Sequence, residues 1–268
     1  IGMEAYIING ELDDEHSKYD PRYHLILIAK DYTGYKNLIK LSSISFIDGF
    51  YYKPRISKSI LKQYNEGLIC LSGCIKGEIA SLIAQHKMAE ARETIEWYQS
   101  VFGDRYFIEI QNHGLDEEKS VMPTLISLAK EMHQPMVLTN DCHYLHKEDY
   151  EAHDILLCIQ TGKSLNDPNR MRYETNQLYF KTPEEMKSIF PEEEEAYTNT
   201  LRIADMVDLE LRYDKFMLPK IDTPSEYKDM GEYLRALCEE GLKLKYPKPS
   251  KEVLDRLNFE LDVIHRMG

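Results

Sequence analysis

The 268-residue chain has no apolar run approaching the roughly 20 residues that a membrane-spanning helix needs, so no span is expected. No basic start followed by an apolar stretch opens it, so no secretory leader is expected either. Its five cysteines, Cys70, Cys74, Cys142, Cys158 and Cys238, are odd in number and lack a disulfide-like spacing. That excludes a disulfide scaffold and fits a reduced, cytoplasmic setting. Positive charge is in deficit: 33 Lys and Arg stand against 46 Asp and Glu, a formal charge of −13. Such a chain is not a simple electrostatic clamp on DNA, although a local basic track, or other parts of a larger protein, could still hold nucleic acid. Internal repeats and low-complexity tracts are absent, and the composition is that of an ordinary globular protein.

What is present is a length able to bury a full core in one large or two smaller domains. The chain opens on Ile1 inside what reads as a strand and stops at Gly268 as a helix ends, so a segment of a longer protein is expected. Residues 4–8 and 24–29 have strand character around a polar connection, which suggests a hairpin. Helical spacing follows over 35–46, and Ser57 caps a short helix over 58–64. The run 67–72 reads as a buried parallel strand. Helices are expected at 76–85 and 87–102, a strand at 105–111, a helix at 117–132, a strand at 135–140 and a helix at 147–160. Strands alternating with helices in this way indicate an α/β fold with a mainly parallel sheet or barrel. Beyond about residue 165 strand patterns thin out. Thr182-Pro183-Glu184-Glu185 is a capping box, Thr223-Pro224-Ser225-Glu226 repeats it, and Ser250 caps the last helix. The acidic run Pro191-Glu192-Glu193-Glu194-Glu195 reads as a helix start with proline in the first position rather than as a metal site.

Several side chains that can bind metal fall at strand ends, where α/β folds gather their chemistry. Asp141 and His143, two residues apart past the strand 135–140, should point the same way. Asp-x-His is also found in unrelated loops, so the pair alone decides little. Cys74 follows the strand 67–72 through Gly73; it is either a small buried residue or a ligand. A Cys74 nucleophile with Lys76 lowering its pKa is a third reading, without an obvious histidine to orient it. Glu4 lies in an apolar strand, where a carboxylate must be paired, ligated or exposed. His24 opens the second strand of the hairpin. His113 ends the strand 105–111 and reads as a turn residue before Gly114, as a ligand, or as a supporting residue behind the ligands. His16, His86, His133, His146, His153 and His265 read as structural or solvated. Glutamate, histidine, cysteine and aspartate on one rim would suit zinc or a similar borderline ion.

The runs Tyr23-His24-Leu25-Ile26-Leu27-Ile28-Ala29-Lys30-Asp31-Tyr32-Thr33-Gly34-Tyr35 and Phe50-Tyr51-Tyr52-Lys53-Pro54-Arg55-Ile56 are distinctive. So are Glu66-Gly67-Leu68-Ile69-Cys70-Leu71-Ser72-Gly73-Cys74, Asp104-Arg105-Tyr106-Phe107-Ile108-Glu109-Ile110-Gln111-Asn112-His113-Gly114, Thr139-Asn140-Asp141-Cys142-His143-Tyr144 and Tyr179-Phe180-Lys181-Thr182-Pro183-Glu184-Glu185-Met186. Together they resemble the PHP (polymerase and histidinol phosphatase) domain of bacterial replicative polymerases of the DNA polymerase III alpha type. The resemblance covers essentially the whole chain.

It implies a partial, distorted (β/α)7-type barrel over residues 1–215, followed by a helical lead-in to the palm domain over 216–268. It implies metal ligands at Glu4, His24, Cys74, Asp141 and His143, with Cys142 on the packing side and His113 behind the ligands, and zinc or manganese as the ion. The family's opening strands, with a His-x-His pair, should precede Ile1, and the polymerase aspartates, which use magnesium, should lie beyond Gly268. Tyr52-Lys53-Pro54-Arg55 is expected to be an extended connector. The implied function is DNA replication, with a metal-dependent 3′–5′ exonuclease site and a supporting role. DNA, a proofreading exonuclease subunit and other replisome subunits would be the partners. A stand-alone phosphoesterase of the histidinol-phosphatase type and a silent interaction domain are the alternatives.

Overall fold

In the computed structural model, which describes residues 1–15, 19–211, 213 and 221–267, the chain divides into two compact units, Ile1–Leu211 and Arg212–Gly268. His16 and the boundary expected between residues 215 and 216 lie outside the described residues.

The first unit is built on a six-stranded sheet: β1 (Gly2–Ile8), β2 (Tyr23–Ala29), β3 (Arg55–Ser57), β4 (Leu68–Leu71), β5 (Tyr106–Ile110) and β6 (Met136–Leu138), in the order β3-β1-β2-β4-β5-β6. Between β3 and β6 the sheet stays open among the described residues, so this is a barrel-like α/β sheet rather than a closed barrel. The hairpin pairs Tyr6 with His24 and Glu4 with Ile26. β2 is antiparallel to β4 as well as to β1, while β1–β3, β4–β5 and β5–β6 are parallel. The sheet is therefore mainly parallel, as expected, with five of its six strands pointing the same way and β2 alone running against both neighbours. Its start, at His24, consequently lies at the edge where β4, β5 and β6 end.

Burial follows from side-chain alternation. Along β2 every second residue is buried, as a strand with one covered face requires. β4, β5 and β6 are buried on both faces, which matches the apolar runs of β4 and β6 and of β5 apart from Glu109. One face meets the helices α1 (Tyr32–Ile47), α2 (Lys58–Gln63), α3 (Glu78–Ala84), α4 (Met88–Phe102) and α5 (Asp116–Glu131), which contribute Leu41, Leu61, Ile79, Ile95 and Leu125 to a core with Ile7, Leu27 and Tyr106. After α6 (Tyr150–Thr161) and α7 (Pro183–Ile189), α8 (Glu194–Asp205) brings Ile203 onto Ile69, Leu71, Phe107 and Val137 on the other face. Asn199 anchors it by donating to the Met136 carbonyl at 2.7 Å.

Side-chain caps explain half of the α-helix starts among the described residues. Asp31 accepts from the Gly34 N–H at 2.9 Å, and Thr182 and Glu185 form the expected box. Two starts differ. Pro191 sits in a turn ahead of α8, whose first residue is Glu194, and Glu193 pairs with Lys130 at 2.6 Å. In the second unit, α9 (Met230–Lys245) begins seven residues after Thr223, because Tyr227 closes a turn onto the Pro224 carbonyl and Asp229 takes over the cap, accepting from Glu232 N–H at 2.9 Å. Ser250 does cap α10 (Lys251–Met267), through Val253 N–H. The expected connector at Tyr52-Lys53-Pro54-Arg55 ends in a strand, since Arg55 opens β3.

α1 touches the sheet through a pair of glycines. A Cβ on Gly34 would stand 1.8 Å from the Gly67 carbonyl oxygen, and Gly67 itself has φ +68°. Gly34→Ala must push α1 off the start of β4. We expect a loss of about 3 kcal/mol, at the upper end of overpacking costs, read as a lowered Tm in thermal unfolding; an unchanged Tm would refute this contact.

Candidate metal centre

The hairpin places Glu4 and His24 on one face as diagonal neighbours, because Glu4 lies opposite Ile26, two residues from His24. His24 Nδ1 meets Glu4 Oε1 at 2.6 Å. Cys74 arrives from the neighbouring strand. Gly73, at φ +83°, passes so close to β2 that a Cβ there would lie 2.3 Å from the His24 carbonyl oxygen. Only glycine tolerates both conditions. The His24 N–H in turn donates to the Lys76 carbonyl at 3.1 Å, fastening the loop to the strand. The Cys74 sulfur thus reaches 3.6 Å from His24 Nδ1 and accepts from the Lys76 N–H at 3.4 Å. One ligand atom each from Glu4, His24 and Cys74 lie within 4.8 Å of one another. Contact with Cys74, then with Glu4, drives the His24 imidazole up to about 10, against the opposing effect of burial.

Asp141 and His143 lie past β6 and do face the same way, with Asp141 Oδ1 3.2 Å from His143 Nε2. That contact lowers the Asp141 pKa and raises that of His143. Cys142, expected on the packing side, is exposed; its sulfur faces Asn140 Nδ2 at 3.2 Å. The backbone here is held from a distant segment: His143 N–H donates to the Leu178 carbonyl at 2.8 Å and Asn140 Nδ2 to the Tyr179 carbonyl at 2.6 Å. The turn is thus shaped by residues 35 or more positions away, and it turns Cys142 outward where the resemblance implied the packing side.

His113 is 2% exposed and has both ring nitrogens engaged. Nδ1 lies 2.6 Å from Glu118 Oε1, and Nε2 accepts the Asp141 main-chain N–H at 3.1 Å. Accepting at Nε2 places the proton on Nδ1, where it serves the carboxylate. His113 therefore supports the Asp141 loop from behind and is no ligand in this arrangement.

A cavity of about 250 Å³ joins the two groups, lined by Glu4, Cys74, Glu109, Thr139, Asn140 and Asp141. No basic side chain lines it, so it favours cations. The mixed oxygen, nitrogen and sulfur donors of Glu4, His24 and Cys74 fit a borderline divalent ion such as zinc. A larger cavity, about 500 Å³, lies between α5 and residues 189–193 and offers mainly apolar walls.

Three further residues border the site: Glu109 and Tyr173, not singled out in the sequence, and His153, expected to be structural or solvated. Glu109 is buried beside Thr139. Tyr173 and His153 pack on the His143 ring, with centroids 4.9 and 5.4 Å away. For Glu109 the signal was there: a carboxylate inside the apolar strand Tyr106–Ile110 poses the same question as Glu4. Tyr173 and His153 carry no such mark, because a long loop brings the first of them in.

Residues 1–113 match the PHP domain family. Over its whole length the chain is similar to DNA polymerase III subunit alpha of Treponema pallidum, with 45% identity over 270 residues, 100% of this chain and 23% of the relative. The same subunit of Borreliella burgdorferi is 42% identical, covering 100% of this chain and 24% of the relative. That of Thermus aquaticus is 44% identical over 96% of this chain and 22% of the relative. The chain thus spans under a quarter of the length of these curated relatives. Among the described residues no helix is long and apolar enough to cross a membrane.

Proposed function

We propose, on the premise that this chain is a PHP-domain segment of the kind found in DNA polymerase III alpha subunits, that it forms the metal-bearing part of a bacterial replicative DNA polymerase. Its rim site hydrolyses phosphodiester bonds at the 3′ end of DNA. The observation that carries this reading is the approach of Glu4, His24 and Cys74 to within 4.8 Å, on a cavity that Asp141 also lines.

Zinc or manganese suits these donors. When bound, such ions would supply Lewis acidity and a water activated at neutral pH. The chain's own residues do the rest. Glu4 and Cys74 offer anionic donors, and His24, on the strand between them, offers a nitrogen. His113 fixes the Asp141 backbone so that its carboxylate and His143 face the same space. The acidic walls repel a bare phosphodiester, so substrate enters only where cations neutralise them.

Nucleotide addition, with its magnesium, is assigned to the remainder of the polymerase. Residues 216–268 are read as the helical lead-in to the palm, after a PHP domain over 1–215. DNA, a proofreading exonuclease subunit and other replisome subunits are the partners we assign, in the cytoplasm. Asp141→Ala in a full-length polymerase subunit carrying this segment should abolish metal-dependent release of nucleotides from a 3′ end and leave primer extension unchanged. Hydrolysis that survives the substitution would overturn the site assignment. Hydrolysis confined to small esters such as histidinol phosphate would favour the stand-alone phosphoesterase.

A further inference from the structure

Glu109 lies on β5, between β4 and β6, and is 4% exposed. Its main-chain N–H donates to Ser72 Oγ at 2.9 Å. Its carboxylate Oε1 accepts from Thr139 Oγ1 at 2.5 Å and from Gln111 Nε2 at 3.1 Å. Gln111 Nε2 also reaches Thr139 Oγ1, at 2.9 Å, which closes a small network. Ser72 stands two residues before Cys74, and Thr139 two residues before Asp141. The ladders proper end at Leu71 and Leu138. One further main-chain bond holds each loop to β5, from Ser72 N–H to the Phe107 carbonyl and from Thr139 N–H to the Ile110 carbonyl. Glu109 adds the side-chain tie between the two loops that carry the candidate ligands.

A second feature turns the network toward the cavity. Oε2 of Glu109 is buried and has no hydrogen bond of ordinary geometry, on a residue that lines the cavity shared with Glu4, Cys74 and Asp141. The Gly73 main-chain N–H also bonds to this carboxylate, but a buried carboxylate oxygen so sparsely bonded is costly, and a cation entering that cavity relieves the cost.

We propose that Glu109 is a positioning residue that sets the spacing of the Cys74 and Asp141 loops, so that both serve one group of bound cations. It acts through Thr139 and Ser72 and stands outside the Glu4, His24 and Cys74 group. This rests on the reading of the rim as a metal centre.

The test is a cobalt(II) titration of the 268-residue chain under reducing conditions, followed by visible absorption, in which a thiolate–cobalt charge-transfer band reports Cys74. Glu109→Ala and Thr139→Val should each weaken cobalt binding about 10- to 100-fold, the usual effect of losing a partner that orients ligands. Both should also alter the charge-transfer band. Glu109→Gln keeps an acceptor for Thr139 and should restore most of the affinity. An unchanged affinity and band in Thr139→Val and in a folded Glu109→Ala overturns the proposal. If Glu109→Ala does not fold, Thr139→Val alone decides. Loss of binding in Cys74→Ser alongside unchanged Glu109 and Thr139 variants would leave the metal reading standing and remove this one. A wild-type chain that binds no cobalt removes both.

Discussion

His24→Ala is expected to weaken zinc binding more than about a hundredfold, beyond the effect of losing an orienting partner, while the chain stays folded. The imidazole is where the other donors meet: Glu4 Oε1 lies 2.6 Å and Cys74 Sγ 3.6 Å from Nδ1. Without it a carboxylate and a thiol remain, and among the described residues no other third donor joins them within 4.8 Å. The fold should tolerate the change because the His24 side chain is 25% exposed and packs mainly against the Tyr6 ring, edge to face at 5.2 Å. Competition with a chromophoric chelator measures the affinity, and circular dichroism checks the fold. Affinity equal to the wild type would mean that the ion binds elsewhere.

Glu118→Ala should cost about 3–5 kcal/mol of unfolding free energy, as expected when one member of a buried hydrogen-bonded pair is removed. Glu118 is 2% exposed. Its Oε2 accepts from the main-chain N–H groups of His113 at 2.6 Å and Leu115 at 3.3 Å, and its Oε1 meets His113 Nδ1 at 2.6 Å. Alanine leaves those donors buried without an acceptor. The pH dependence follows from the same contacts. Burial raises the Glu118 pKa, but the bonds from His113 and Leu115 outweigh it and hold the net value below 4.5. A carboxylate depressed on folding adds stability that is present above its unfolded pKa and lost as pH falls through the folded value. The gap between wild type and Glu118→Gln in urea unfolding should therefore be constant near neutrality and narrow below about pH 4.5. A gap that widens in acid would contradict the assignment.

Legibility in the sequence followed the range of the interaction that fixes each feature. The hairpin, the buried strands Leu68–Leu71 and Tyr106–Ile110 and the box at Thr182 are local patterns, and the structure contains them. β3 has only three residues and is defined by its partner β1, so no periodicity announced it. The Thr223 signature failed because a proline and a glutamate at the right spacing also suit a turn, which Tyr227 closes there. At the candidate site, the residue types at Glu4, His24, Cys74, Asp141 and His143 were readable, whereas their distances depend on register and on Gly73. The reversed direction of β2, which brings His24 to the edge where β4 ends, is a matter of topology. Glu109 was hidden in plain view, since an acid within a buried strand was weighed at Glu4 and not there.

The bond from the Asp141 amide to His113 divides that residue between two solvent regimes. Its carboxylate is half exposed, at 50%, and open to any ion or substrate that arrives. Its amide proton is donated to an imidazole that is 2% exposed and braced by a helix. Proton exchange at that amide requires its bond to His113 Nε2 to open, which means moving the Asp141 loop off a buried and braced imidazole, an event on the scale of local unfolding. Asp141 should therefore exchange its amide hydrogen as slowly as a core residue while its side chain equilibrates with bulk water, a slow clock attached to an accessible ligand.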